Sequence, residues 1–378
     1  MSITTVRNAL AAADRPHLLT SGQALAEAAE RWSHCEVLGI DTEFVRERTY
    51  RAALGLVQIS DGESAWLVDP LAEVSLEPLR RLLTDPAVVK VLHSGSEDLE
   101  VLLHTIDVVP DPLVDTQVAC ALLGQPMQMA YHGTCKWLFD VEIDKEQTRS
   151  NWCRRPLTER QLHYAAMDVV LLPEIFRELR RRLEELGRWP WLQEEVGRMQ
   201  RNAETDVDPA MAYLRFAGAG RLDNASLAAL RALARWREET AIRLDRARGF
   251  VVPDAVLMQM ARTRPGDRRA LRSIEGIHPN ALKRHEQPLL DVIRSDARDQ
   301  SDLARPYAFS DAQRRLLKRL KSRVTAKSAE LGVDPALLAS RRELENLLRS
   351  QALGEPVPER FTGWRRAVIT DDLLAEIG

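Results

Sequence analysis

Long apolar runs and paired cysteines are the features that this chain most clearly lacks. No apolar run approaches the ~20 residues that a helix needs to cross a bilayer, and the first residues carry no long apolar stretch after their positive charge. The four cysteines include no C-x-x-C pair, which argues against a disulfide framework and against a structural zinc site. We therefore expect a cytoplasmic protein with reduced thiols and no membrane contact.

A large charge of one sign is missing from the whole chain but not from its parts. The net charge is −3, yet residues 1–205 sum to −10, residues 206–294 to +5 and residues 305–378 to +4. This division suits a metal-using catalytic domain followed by modules that contact a polyanion. Ordinary scatter of charges is the other interpretation. With 45% hydrophobic and 29% charged residues, the 378-residue chain has the balance of an ordered protein of two or three domains.

Strand and helix patterns are mixed in the first part of the chain. The apolar run 37–40 predicts a buried strand that stops at Asp41, and the runs 56–60 and 65–68 predict an antiparallel hairpin. A strand at 88–92 leads into a helix that Ser96 can cap. These patterns predict a mixed α/β fold.

A second helix start is marked by Thr158 and Gln161, which have the T-x-x-Q form of a capping box. The pattern after it predicts one long helix toward Leu186, with Asp168 inside it and a kink at Pro173. After Gly187 strand patterns almost vanish, and a charged linker over 296–306 divides the helical remainder into two pieces.

Four carboxylates occupy comparable positions in this pattern. Asp41 and Glu43 follow the first buried strand, and residues two apart in an extended chain point to the same face. Asp98 lies in the first turn of the helix after Ser96, and Asp168 lies in the later helix. Together they suggest a cage for two divalent cations, Mg²⁺ or Mn²⁺, which prefer oxygen ligands and support phosphoryl transfer.

The set and its surroundings resemble the DEDD superfamily of 3′–5′ exonucleases and, within it, the ribonuclease D family. The motifs that carry the resemblance are GIDTEF at 39–44, LVQI at 56–59, HSGSEDLE at 93–100, VDTQ at 114–117, and LTERQ at 157–161 leading to YAAMD at 164–168. The resemblance implies an α/β ribonuclease H-like exonuclease domain. It also implies that Asp41, Glu43, Asp98 and Asp168 ligate two metal ions, with Asp41 bridging both.

Two residues compete for the position beside the attacking water. The superfamily uses Tyr in a Y-x-x-x-D motif or His in an H-x-A-x-x-D motif, and this sequence satisfies both with Tyr164 and His163. At about 100° per residue, Tyr164 lies about 40° around the helix from Asp168, whereas His163 lies about 140° away. Tyr164 is therefore predicted to be the catalytic residue, either as a base or as a group that positions water.

Several residues are candidates for contact with the substrate. Phe44 can stack on a terminal base or pack in the core, and Gln58 can bond the substrate or nearby backbone. A basic helix over 308–331 offers Lys318, Arg319 and Arg323 for phosphate contacts, with a solubilising surface as the other interpretation.

The helical pattern over 227–246, followed by VPDAVL at 252–257 and SIEGI at 273–277, resembles the HRDC domain, a small helical module named for helicases and ribonuclease D. We predict an exonuclease domain over 1–205, a first HRDC domain over 206–294 and a second, more diverged copy over 305–378.

These observations predict a 3′–5′ exoribonuclease that uses two divalent metals to release nucleoside 5′-monophosphates. The resemblance implies that transfer RNA precursors and other small RNAs are its substrates, and no obligate protein partner is indicated. A DNA exonuclease of the same superfamily and a non-catalytic nucleic-acid-binding protein are the alternatives.

Overall fold

One mixed sheet and a series of helices make up the chain. The computed structural model describes residues 3–72, 74–143, 150–205, 208–295, 303–305 and 307–378. Asp206 and most of the predicted linker, residues 296–302 and 306, lie outside them. The strands are β1 His17–Leu19, β2 Val37–Val45, β3 Ala53–Ser60, β4 Ala65–Val68, β5 Val89–Leu92 and β6 Leu113–Asp115.

Helices flank the sheet and then take over the chain. They are α1 Ile3–Ala12, α2 Gly22–Trp32, α3 Glu77–Leu83, α4 Ser96–Ile106, α5 Thr116–Leu122, α6 Tyr131–Phe139, α7 Glu159–Met167, α8 Leu172–Glu185, α9 Trp189–Glu204, α10 Asn224–Arg243, α11 Arg248–Val251, α12 Asp254–Thr263, α13 Arg268–Arg272, α14 Pro279–Arg294, α15 Asp311–Leu331, α16 Pro335–Leu338, α17 Arg341–Leu353 and α18 Asp371–Ile377. The predicted α/β first part and helical remainder are confirmed.

The sheet has the order β1-β4-β3-β2-β5-β6 within the described residues. β2, β3 and β4 are antiparallel neighbours, and β5 and β6 run parallel to β2. The predicted hairpin is present, since the turn between β3 and β4 is closed by Asp61, whose Oδ1 accepts hydrogen bonds from the backbone N–H of Glu63 and Ser64 at 2.9 and 2.8 Å. β2 and β3 therefore occupy the middle of the sheet, where most of their side chains are buried.

Three local predictions were wrong. β2 does not stop at Asp41 but continues to Val45, because β3 pairs with it along the whole length to Ala53. Ser96 is the first residue of α4 rather than its cap, since the N-cap is Gly95 and no side chain bonds there. The helix from Thr158 is not continuous, because α7 ends with Asp168 as its C-cap and α8 begins anew at Leu172.

The described residues form two compact units. The first contains residues 1–45, 53–204 and 309–378, and the second contains residues 46–52 and 205–308. The second unit has its own apolar core, built mainly from one face of α10 with α12 and α14. The last helical piece, α15 to α18, is therefore grouped with the sheet, although the sequence predicts it as a separate domain. The predicted domain boundaries themselves stay predictions.

A buried carboxylate joins α9 to this last helical piece. Glu195 is 4% exposed, and its carboxylate accepts hydrogen bonds from Arg198, Arg360, Arg365 and the indole N–H of Trp364, the last at 2.9 Å. Burial alone would raise the pKa of Glu195, but the hydrogen bond and charge of Arg365 outweigh it and hold that pKa well below its usual value. The ion pair between Glu195 and Arg365 is thus part of the interior of the first unit.

None of the described helices is both long and apolar enough to cross a bilayer.

Replacing Glu195 by Gln is expected to destabilise the first unit by about 3–5 kcal/mol, because it leaves buried arginines without their counter-charge. The measurement is urea unfolding followed by fluorescence. The control is Arg201→Gln, which breaks an exposed pair with Glu359, 58% and 59% exposed, in the same region. That loss should stay below about 1 kcal/mol. Equal losses in the two variants would contradict a structural role for Glu195.

Candidate active site

Two carboxylates project from the same face of β2. Asp41 pairs with Gln58 and Glu43 with Leu56 in the antiparallel register with β3. Because side chains alternate along a strand, Asp41 and Glu43 share one face. With Asp168 they form a group whose carboxylate oxygens lie within 4.8 Å of one another. Three of the four predicted metal ligands therefore meet at one point.

A glycine on β2 allows Asp168 to come this close. Gly39 lies on the same face as Asp41, and a Cβ atom added there would stand 2.7 Å from the Cβ of Leu172 and 2.8 Å from the carbonyl oxygen of Val169. The break between α7 and α8 thus packs directly on the strand backbone, with Asp168 immediately before it. This role of Gly39 was not predicted, and a glycine inside an apolar strand is its only signal in the sequence.

Asp98 approaches the group from the other edge of β2. β5 pairs only with the part of β2 over residues 37–39, so the edge beyond it is open to the first turn of α4. The Thr42 hydroxyl donates a hydrogen bond to the Asp98 carboxylate there, and Thr42 is 5% exposed. Asp98 lies outside the 4.8 Å group but close enough for its charge to affect Asp41 and Glu43. Thr42 was not predicted, because a single threonine between two acids carries no signal.

Burial raises the pKa values of the four acids, and repulsion between the acids adds to the rise for Asp41 and Glu43. Burial, and then the charges of Asp98 and Asp168, raise the pKa of Asp41 well above its usual value. Burial, followed by Asp168 and Asp98, raises the pKa of Glu43 to about 9. Burial also raises the pKa of Asp168 to about 7 and that of Asp98 to about 6, against hydrogen bonds from Tyr164 and Thr42 that lower them.

This donor set fits divalent cations. All four groups offer carboxylate oxygens, the ligands that hard cations such as Mg²⁺ prefer. The groups that shift the pKa of Glu43 are its burial and two other acids, with no cationic side chain among them. A bound cation would supply the missing positive charge and allow all of these acids to ionise together.

Tyr164 faces the acids, as its helical spacing predicts. Thr158 caps α7 and forms the predicted capping box with Gln161. The Tyr164 hydroxyl donates a hydrogen bond to Asp168. Its ring lies 6.1 Å from that of Trp152, in a small apolar cluster with Leu56. Burial, and then the charges of Asp168 and Glu43, raise the pKa of Tyr164 above its usual value, which keeps the phenol protonated at neutral pH in the metal-free protein.

His163 points away from the acids. Its Nδ1 lies 3.1 Å from the carbonyl oxygen of Ala13 and 3.7 Å from an Asp14 oxygen, and 52% of the side chain is exposed. The structure thus brings Tyr164, and not His163, to Asp168.

The two candidate substrate contacts on the sheet differ in access. Phe44 is half-buried on β2, directly after a break in the register with β3 between Glu43 and Phe44. Gln58 is completely buried beside Asp41, and both polar atoms of its amide lack a hydrogen-bond partner within the described residues. A substrate contact stays a prediction for both residues, and the burial of Gln58 counts against it.

The basic candidates on α15 lie in the last helical piece of the first unit and are exposed. Arg319 and Arg323 both pair with Glu376 of α18, at 2.7 and 3.4 Å. Lys318 makes no ion pair within the described residues. Contact of the three side chains with RNA therefore stays a prediction, and two of them already have a partner inside the protein.

Family models match three parts of the chain. Residues 16–184 match the model described as 3′–5′ exonuclease. This stretch of the chain contains all four acids and Tyr164. Residues 226–293 match the HRDC domain, and residues 312–373 match the C-terminal HRDC domain of ribonuclease D.

Whole-length relatives agree with these matches. The chain is 39% identical to ribonuclease D of Pseudomonas paraeruginosa over 93% of this chain and 94% of the relative. It is 36% identical to ribonuclease D of Escherichia coli over 94% and 96% of the two chains. The crystal structure of Escherichia coli RNase D, described as an exoribonuclease involved in structured RNA processing, superposes with a TM-score of 0.89 at 34% identity over 96% of this chain and 98% of that one.

Raising the pH from about 5 to 9 is expected to destabilise the metal-free protein. The acids have folded-state pKa values of about 6, 7 and 9 for Asp98, Asp168 and Glu43, above the ~4 of unfolded carboxylic acids, so the folded state binds more protons in this window. Their contribution to stability is full below pH ~4 and is lost as the pH rises through these values.

Melting temperatures measured in EDTA and in Mg²⁺ across this range check the prediction. Mg²⁺ should restore stability most at the alkaline end, and Asp41→Asn, which removes one of the repelling charges, should flatten the decline in EDTA. A decline equally steep in that variant would contradict the assignment of the effect to these acids.

Proposed function

This chain belongs to the ribonuclease D family of 3′–5′ exoribonucleases, and we propose that it trims the 3′ ends of structured RNAs, above all precursors of transfer RNA. The observation that carries the proposal is the cluster of Asp41, Glu43 and Asp168 beneath the Tyr164 hydroxyl. It occurs in a chain that matches, over nearly its whole length, a relative described as processing structured RNA. The predicted exoribonuclease activity is confirmed by the family, whereas the transfer RNA substrate and the cytoplasmic location stay predictions.

The family uses divalent metal ions, and the acidic cluster is suited to hold them. We propose two ions, Mg²⁺ or Mn²⁺, with Asp41 contacting both and with Glu43, Asp98 and Asp168 as the other ligands. When bound, such ions lower the pKa of a water molecule and offset the negative charge on the leaving oxygen. Thr42 would hold the Asp98 carboxylate in one orientation through its hydroxyl.

Tyr164 is proposed to position the attacking water rather than to deprotonate it. The phenol is held by its hydrogen bond to Asp168 and by the ring of Trp152, so its oxygen has a fixed position beside the acids. Its raised pKa favours the neutral form, whose oxygen can accept a hydrogen bond from a water molecule while its O–H donates to Asp168. Loss of the hydroxyl should therefore lower the rate of hydrolysis more than the affinity for RNA.

Asp41→Asn should slow hydrolysis of a 3′-extended transfer RNA precursor by at least ~10³-fold while RNA binding persists, because the amide weakens the ligand proposed to contact both ions. The assay uses 5′-labelled precursor in Mg²⁺, with mononucleotides as the product. Asp107→Asn, which alters a carboxylate that is 90% exposed, is the matched control and should retain full activity. More than a tenth of the wild-type rate in Asp41→Asn would refute the ligand assignment.

Tyr164→Phe should lose most single-turnover activity, whereas His163→Ala should lose little, because only the tyrosine hydroxyl faces Asp168. Circular dichroism establishes that both variants are folded. The reverse order of activities would mean that α7 begins later in the active protein and turns His163 toward the acids.

A further inference from the structure

The segment between β2 and β3, residues 46–52, belongs to the second compact unit together with residues 205–308. This arginine loop begins three residues after Glu43 and contains three arginines and one glutamate. We propose that the arginine loop binds the phosphate backbone of the substrate RNA next to the reacting nucleotide, and that Tyr50 is the positioning residue that holds the loop. The inference rests on the proposed function and adds a binding site to it.

Tyr50 anchors the loop to the helical unit. Its hydroxyl donates a hydrogen bond to Glu238 at 2.6 Å and accepts one from Arg248 Nη2 at 3.0 Å. Arg248 also donates to Glu238 through Nε at 2.7 Å, and its guanidinium lies 4.6 Å from the centre of the Tyr50 ring. Glu238 is 1% exposed, so this network is anchored in the interior of the unit. A charged group held this way fixes the ring more firmly than apolar packing alone.

Two further hydrogen bonds hold the backbone of Arg48 and Arg51 against the same unit. The carbonyl oxygen of Arg48 accepts a hydrogen bond from the backbone N–H of Ala247 at 2.9 Å. The backbone N–H of Arg51 donates to Asp245 Oδ1 at 3.0 Å. The backbone of the loop is therefore bonded on both sides of Tyr50.

The side chains of the same arginines are left available. Arg48 and Arg51 are exposed, and neither guanidinium makes a hydrogen bond or ion pair within the described part of the chain. Guanidinium groups that remain in solvent add little to the stability of the fold, so stability alone does not explain why the loop backbone is fixed. Fixing the backbone does lower the conformational entropy that would be lost when these side chains bind a ligand.

The short chain separation between the loop and the acids favours RNA as that ligand. The acids of the active site and the −10 charge of residues 1–205 repel a polyanion. Arg48 follows Glu43 by five residues, a reach of at most ~18 Å, so phosphates next to a 3′ end at Glu43 would come within range of the loop. Arginine forms paired hydrogen bonds with phosphate, so Arg48 and Arg51 can offset this repulsion without reading the base sequence.

The test compares Arg48→Ala/Arg51→Ala with wild type on a single-stranded RNA of about six nucleotides. Binding is measured by fluorescence anisotropy in full-length chains that also carry Asp41→Asn, between about 50 and 200 mM salt. The slope of log K against log salt should fall by about 1.4, since each lost single-strand phosphate contact removes about 0.7. Without Asp41→Asn, the double variant should raise KM with kcat within about twofold.

Arg80→Ala/Arg81→Ala is the matched charge control. These exposed arginines lie on α3, which leads to the start of β5, whereas Asp41 and Glu43 lie in the opposite, C-terminal half of β2 and Asp98 follows the opposite end of β5. The control removes the same charge and should leave the salt slope and KM unchanged. An unchanged slope in Arg48→Ala/Arg51→Ala, or an equal fall in the control, overturns the inference. If wild type leaves transfer RNA precursors intact, the proposed function fails instead.

Tyr50→Phe tests the anchor. It removes the hydroxyl and keeps the ring, and it should raise KM for the same RNA about three- to tenfold with little change in kcat, because the loop must then be ordered on binding. The control is Tyr213→Phe, which removes a hydroxyl bonded at 2.8 Å to the carbonyl oxygen of Ala304 in the same unit. It should leave KM unchanged. A lower melting temperature for Tyr50→Phe with unchanged KM would assign Tyr50 to stability alone and overturn its positioning role.

Discussion

Mutual repulsion among closely spaced carboxylates is the constraint on which the rest of this structure depends. Asp41, Glu43 and Asp168 offer oxygens within 4.8 Å of one another, and Asp98 lies close enough to add its charge. Each of these groups would be more stable in water, so the surrounding fold must hold them together against their electrostatics. The central position of β2, the small size of Gly39 and the apolar contacts of α7 all serve this purpose.

In this arrangement the acids are brought together when the protein folds, so the unfavourable free energy of their repulsion is met before substrate binds. The same partial burial that raises the pKa values of the acids also limits their contact with solvent. The Tyr164 hydroxyl and the Thr42 hydroxyl each satisfy one acid without neutralising it. The site is therefore organised for a positive ligand and for a phosphate that follows it, which is the electrostatic logic of metal-assisted phosphoryl transfer.

Rules that depend on neighbouring residues predicted the directions of the active-site side chains. Features that depend on contacts between distant residues could not be predicted from the sequence. The alternation of a strand placed Asp41 and Glu43 together, and the capping box of Thr158 selected Tyr164 over His163. The continuous helix toward Leu186 was wrong: residues 169–172 are apolar and keep a helical pattern, but the chain breaks there, where it packs on Gly39 and where Pro173, which has no backbone N–H, lies in the first turn of α8. The pairing of Arg319 and Arg323 with Glu376, and the burial of Glu195 by Arg365, join residues far apart in sequence. From the sequence alone, the charged residues of both groups would be expected to lie on the surface, because nothing in the sequence identifies their partners.

The enclosure of Glu195 also has a consequence for synthesis on the ribosome. Arg360, one of its partners, follows it by 165 residues. At about 5–20 residues per second, roughly 10 to 30 s separate the two during translation. The acids of the active site are complete well before that moment, but the unit that contains them lacks its last helical piece until residues 311–377 have been made. Nascent chains of this enzyme must pass through an interval in which, of the partners of Glu195, Arg198 is present but Arg360, Trp364 and Arg365 are still missing.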